Sequence, residues 1–170
     1  GIATGAGIAA GFIHIGNHAL IKGGLFMAIG GIFLATGARV SVDSMAGIGR
    51  KMPVTATAFL ICGLSLIGLP LTAGFISKLY LVRALLDNDN LLIVGLVLAS
   101  SALSVVYLWK IVEVMWVRPA RVDAMKVSER PALYIPLWIV AISNIWLGLD
   151  AGWLVGAAEA AAASLLGAGG

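Results

Sequence analysis

Charged side chains are scarce in this chain, and that scarcity decides its class. Only 11% of its 170 residues are Asp, Glu, Lys or Arg, against about 25% in ordinary soluble domains. Hydrophobic residues reach 61% and mean hydropathy is +1.04, which predicts a polytopic membrane protein in contact with the lipid bilayer. Cysteine is nearly absent. Cys62 alone can build neither a disulfide framework nor a thiolate metal cluster, and it reads as a small buried hydrophobe. The net charge of +3 does not point to nucleic acid, because the basic residues cluster in short connecting segments where orientation in a bilayer accounts for them. No Walker loop, nucleophile elbow or haem or iron–sulfur spacing occurs, so no cofactor is expected. An initiator Met and a charged leader are also lacking ahead of the first apolar run, and the chain reads as a fragment of something longer.

What is present is a series of long apolar runs. Residues 8–36, about 91–117 and about 132–153 are each near or above the ~20 residues a bilayer requires. The run 53–86 is different, since as one straight helix it would be about 51 Å long against a ~30 Å hydrocarbon core. In its middle stands Gly68-Leu-Pro-Leu-Thr-Ala-Gly74. Pro70 removes a helical hydrogen bond and the glycines ease unwinding, so two half-helices, about 54–67 and 75–86, are expected around a non-helical stretch 68–74. Backbone freed inside a membrane must be satisfied by protein or by a wet cavity, which makes such a break a site candidate; the plainer alternative is a proline kink. The expected fold is an all-α transmembrane bundle of about four passes, one of them broken. It occupies residues 1–155, and an Ala/Gly-rich tail over 156–170 frays or lies on the surface.

Charge orients the passes. Arg39, Arg50 and Lys51 against Asp43 mark loop 37–52, and Arg118, Arg121, Lys126 and Arg130 against Asp123 and Glu129 mark loop 118–131. The other side carries Asp87, Asp89, Asp150 and Glu159 with only Arg83 nearby, so the positive-inside rule puts both loops in the cytoplasm. Tyr134, Trp138, Trp116 and Trp153 stand near the expected boundaries, as an aromatic belt does.

Inside the first run, His14, His18 and Lys22 follow one another at i, i+4 and i+8 with no other charge between residues 8 and 36. They share one helix face and climb about 12 Å along it. Imidazole titrates near neutrality and both donates and accepts, a desolvated lysine can load and release a proton, and water can bridge such stations, so the ladder suits a proton relay. A metal site is the weaker reading, since lysine is a poor ligand and no carboxylate or cysteine accompanies the histidines. Histidines capping backbone carbonyls are the structural alternative. Lys78, beyond the break, has Ser77 and Thr72 beside it and can face a hydrated gap or snorkel to the surface. Lys110 and Glu113 form an i, i+3 pair near a boundary and read as a surface pair, with proton entry or a subunit contact as the alternative. Gly5-Ala-Gly-Ile-Ala-Ala-Gly11 has neither the spacing nor the strand of a dinucleotide loop; Gly7 and Gly11 read as small residues for close helix packing.

Three stretches together carry a resemblance: His14-Ile-Gly-Asn-His18-Ala-Leu-Ile-Lys22-Gly-Gly-Leu-Phe26, Gly47-Ile-Gly-Arg-Lys-Met-Pro53, and Gly68-Leu-Pro-Leu-Thr-Ala-Gly-Phe-Ile-Ser-Lys78. They resemble the C-terminal half of the proton-translocating antiporter-like membrane subunits, the family that joins respiratory complex I, membrane-bound hydrogenases and Mrp-type cation/proton antiporters. Tyr107-Leu-Trp-Lys-Ile-Val-Glu113 and Asn144-Ile-Trp-Leu-Gly-Leu-Asp150 look most like the MrpD component of the Mrp antiporters. The resemblance implies inverted repeats with one broken helix each, this chain holding the end of the second. It implies that Lys22 is the central lysine, Lys78 the broken-helix lysine, and His14 and His18 the connecting histidines. Partner membrane subunits, protons and Na+ as transported ions, and a bacterial plasma membrane follow from it too, with a complex I or hydrogenase subunit as the alternative. A transport subunit rather than an enzyme is expected, because a pure scaffold leaves the ladder unexplained and a redox enzyme lacks cofactor ligands.

Overall fold

The computed structural model describes residues 4–37, 39, 41–119 and 128–167, and all regular structure in them is helical. Helix α1 spans Gly5–Thr36; Thr4 caps its start by accepting a hydrogen bond from the Gly7 amide at 3.2 Å, and Gly37, at φ +64°, ends it. A short 3-10 turn, Asp43–Met45, and helix α2, Ile48–Lys51, follow; this 43–51 segment meets helix α3, Pro53–Ile67, at a bend of 113°. Helix α4 spans Ala73–Leu86, α5 Leu91–Trp116, α6 Pro131–Leu149 and α7 Gly152–Leu165. Pro53 and Pro131 each open a helix at its first position, where the missing N–H costs nothing.

Helices α1, α5 and α6 are long and apolar enough to cross a membrane by themselves. At 15 and 14 residues, α3 and α4 are each too short, and they form one broken pass. The break runs over 68–72 rather than 68–74, because Ala73 and Gly74 already belong to α4. Central in the bundle is α1, which packs against α3, α4, α6 and α7. One core gathers Ala28, Ile32, Phe59, Cys62, Leu108 and Leu137; a smaller one seats Ala158 and Ala162 of α7 on Ala9 and Ile13 of α1.

That second core decides between the two expectations for the tail, which lies on the surface of the bundle. Residues up to Leu165 form a helix docked on α1 instead of fraying, since alanine is small enough for close helix approach. Gly11 is corrected. A methyl group there meets nothing, whereas at Gly24 it would run into Cys62 and at Gly63 into Leu108, so those are glycines that bring helices together. Arg121, Lys126 and Asp123 lie outside the described residues.

Candidate functional site

The break is built from the ends of two helices. Gly68, at φ +91°, closes α3 by donating to the Leu64 and Ser65 carbonyls, and Leu69 N–H returns to Leu64 O at 3.1 Å. The chain then turns through Pro70 and Leu71, whose φ of +72° is uncommon without glycine, and Thr72 N–H reaches Leu69 O at 3.2 Å. These turns leave the Leu66 and Ile67 carbonyls without helical donors. Lys78 supplies them: its Nζ donates to Leu66 O at 2.9 Å, to Ile67 O at 2.6 Å and to Ser101 Oγ of α5 at 2.7 Å. An ammonium has three protons, and each has a protein acceptor here. It also lies against the negative end of the α3 dipole, where a cation is favoured.

The start of α4 is held by polar groups the sequence reading did not single out. Ser65 Oγ accepts from Gly74 N–H at 3.2 Å and donates to Asn144 Oδ1 of α6 at 2.9 Å, while Asn144 Nδ2 donates to Val140 O. From α1, Asn17 Nδ2 donates to Ala73 O at 2.8 Å, and its buried Oδ1 has no partner among the described residues. Two glycines permit this closeness. A methyl at Gly74 would collide with the Ser65 carbonyl, and one at Gly148 with the main chain of Leu71 and Thr72. Polar residues in otherwise apolar helices at a break are the available signal for Ser65, Asn17 and Asn144.

Against this frame stand the histidines. The rings of His14 and His18 stack with centroids 5.5 Å apart and 29° between planes. His14 Nδ1 lies 3.4 Å from Ser77 Oγ, and because Ser77 Oγ donates to Gly74 O at 3.0 Å, the ring nitrogen is the donor in the first contact. His14, His18, Ser77 and Lys78 line one cavity of about 160 Å³, with Ser100 and Ser104 of α5 opposite. A space of this size and polarity has room for several waters. Imidazoles, a hydroxyl and an amine around it can exchange protons through water.

Lys22 is elsewhere. It is half-buried on the wall of a different cavity, about 380 Å³, shared with Phe26, Ser41, Phe59, Tyr107 and Ile111. The i, i+4, i+8 ladder therefore does not open into one space: two of its rungs join Lys78 and the third does not. Lys78 falls in the second turn of α4 rather than the first. Thr72 lies in the break and donates to Leu69 O, and Pro70 is exposed there. Lys110 is exposed and Glu113 pairs with Arg118 at 3.8 Å instead of with Lys110, so the expected i, i+3 pair does not form.

The family model described as NADH:quinone oxidoreductase/Mrp antiporter, TM, matches residues 1–104. The chain is 37% identical over 150 residues to a protein named NADH-quinone oxidoreductase subunit N of Desulforudis audaxviator, covering 81% of this chain and 30% of that one. It is 33% identical over 161 residues to NADH-quinone oxidoreductase subunit N 1 of Solibacter usitatus, covering 94% and 33%. Among solved structures, the Mrp complex from Dietzia sp. DQ12-45-1b is similar over 95% of this chain and 38% of that chain, with a TM-score of 0.83 at 23% identity, a likeness of fold. The chain thus spans between 30% and 38% of the length of these three proteins.

Proposed function

The chain belongs to the NADH:quinone oxidoreductase/Mrp antiporter membrane family, and from that premise we propose that it is part of a proton-translocating subunit in which His14, His18 and Lys78 pass protons around the break in the second pass, with Lys22 as the preceding station. The carrying observation is the single cavity that collects two imidazoles and the Lys78 ammonium where α3 and α4 part. Broken helices at membrane depth are where ion pathways are built, because freed backbone and water coexist there. Lys110 and Glu113, at the other end of α5, serve as a surface or subunit contact. The bilayer is that of a bacterial plasma membrane, with loops 37–52 and 118–131 cytoplasmic, and the companions are other membrane subunits of a hetero-oligomeric complex.

The assembly has two readings. The Tyr107–Glu113 and Asn144–Asp150 stretches favour an MrpD-like component of a cation/proton antiporter, whereas identities of 37% and 33% to proteins named NADH-quinone oxidoreductase subunit N favour a redox-driven complex. We adopt the second, since the likeness to the Mrp complex bears on fold alone. The experiment uses the full-length protein in its complex, in sealed vesicles with a pH-sensitive dye. Proton uptake driven by quinone reduction supports the redox assembly; uptake driven only by an imposed Na+ gradient supports the antiporter. Lys78→Ala and Lys22→Ala abolish either activity while native-gel assembly persists, and Lys22→Arg fails too because guanidinium does not release its proton. Wild-type transport by either Ala variant would sink the relay.

A further inference from the structure

Leu66 lies on the wall of both cavities, facing His14, His18 and Lys78 on one side and Lys22 and Tyr107 on the other. It is the residue of α3 that the two spaces have in common. Its main chain is engaged as well, since its carbonyl accepts from the Lys78 ammonium at 2.9 Å. That carbonyl belongs to the last turn of α3, which ends one residue later and is held by Lys78 in place of a further helical turn. The titratable groups around Lys78 in its cavity are His14 and His18, both from α1; α3 and α5 turn only carbonyls and serine hydroxyls toward it.

We propose that Leu66 is the barrier between the Lys22 cavity and the His14/His18/Lys78 cavity, and that Lys78 positions this barrier through the Leu66 carbonyl. This rests on the reading that Lys22 and Lys78 exchange protons. While Lys78 is charged, the cation–carbonyl attraction fixes the last turn of α3 and the Leu66 side chain closes the passage. When Lys78 gives up its proton to water in its cavity, the neutral amine no longer holds the negative end of the helix as strongly, and the turn before Gly68 can shift. Water then links Lys22 with the histidines, and a proton moves toward Lys78 to restore the closed state. Leu66 takes no part in proton transfer; it is a positioning residue that prevents free leakage.

The test uses the full-length protein in its assembled complex, in vesicles, read two ways: decay of an imposed pH gradient without a driving reaction, and coupled uptake with one. Leu66→Ala is expected to speed the undriven decay about tenfold, and Leu66→Phe to slow coupled uptake about tenfold without a leak. Lys78→Arg, which keeps a cation on the carbonyls, stays closed and inactive, whereas Lys78→Ala is inactive and leaks. If Leu66→Ala does not assemble, Leu66→Phe decides by itself, and a wild-type coupled rate in it overturns the barrier. Wild-type decay in Leu66→Ala overturns it equally. Lys78→Ala separates the two claims: if it is inactive while the Leu66 variants behave as wild type, only the barrier fails, and if it transports normally, the relay fails with it.

Discussion

Gly74 has no room for a methyl group, because its Cβ would collide with the Ser65 carbonyl across the break. That neighbour is main chain and cannot rotate away, so Gly74→Ala is expected to cost about 1–3 kcal/mol and displace the start of α4. The cost is read as a lower melting temperature of the purified protein in detergent. Gly11→Ala, inside α1 where the added methyl meets open space, is the control and is expected not to lower the melting temperature. The two histidines call for a different substitution. Gln keeps hydrogen bonding at His14 and His18 but cannot titrate, so each variant assembles and transports more slowly; full rate in both would assign the rings a purely structural role. Residue chemistry marked His14, His18 and Lys78 from the sequence, since charge and imidazole in a membrane run are conspicuous. Lys22 was equally conspicuous, yet helical spacing gives only an angle around α1, and whether that angle opens on the histidine cavity depends on where Leu66 and Tyr107 stand.

The break shows what can be read from an element and what cannot. Pro70 between glycines located it, and the two half-helices fall within two residues of their expected ends. Its width was overestimated because glycine has two uses, and Gly74 serves close approach to Ser65 rather than unwinding. The clamp from Ser65 to Asn144 was not legible, since it joins residues far apart in the chain through groups that are also common as bystanders. Asn144→Leu removes the acceptor of the Ser65 hydroxyl in a fully buried place and is expected to cost about 1–3 kcal/mol, with a fall in melting temperature. An unchanged melt would mean that α4 is held without it. Helix α7 escaped for another reason: a run of Ala and Gly resembles low-complexity sequence, and only the partner surface on α1 shows that its small side chains are packing groups.

At the scale of the molecule, the two basic loops meet. Arg118 reaches Asp43 at 3.8 Å, Arg50 donates to the Val117 and Arg118 carbonyls at 3.1 Å, and Glu129 accepts from Thr55 N–H at 2.7 Å and Val54 N–H at 3.4 Å. Arg50 thereby caps the carboxyl end of α5 and Glu129 the amino end of α3, each matching the sign of the helix dipole it faces. The described residues of segments 37–52 and 118–131 therefore lie at one end of the bundle. The loop joining α4 to α5 carries Asp87 and Asp89, and α4 runs toward it away from that end. Positive charge at membrane-flanking loops is as a rule retained in the cytoplasm, and on that rule we propose a direction for the bundle. Cysteine labelling reads that direction against the parent protein as background, to which the buried Cys62 contributes nothing. In the full-length protein in intact cells, a membrane-impermeant maleimide is expected to label Asn88→Cys directly and Ser128→Cys only after permeabilisation; both positions are exposed, so access depends on the side of the membrane alone. The reverse pattern would invert the bundle and with it the direction in which the Lys22 cavity and the Lys78 cavity are filled, and equal labelling of both in intact cells would remove the membrane from between them.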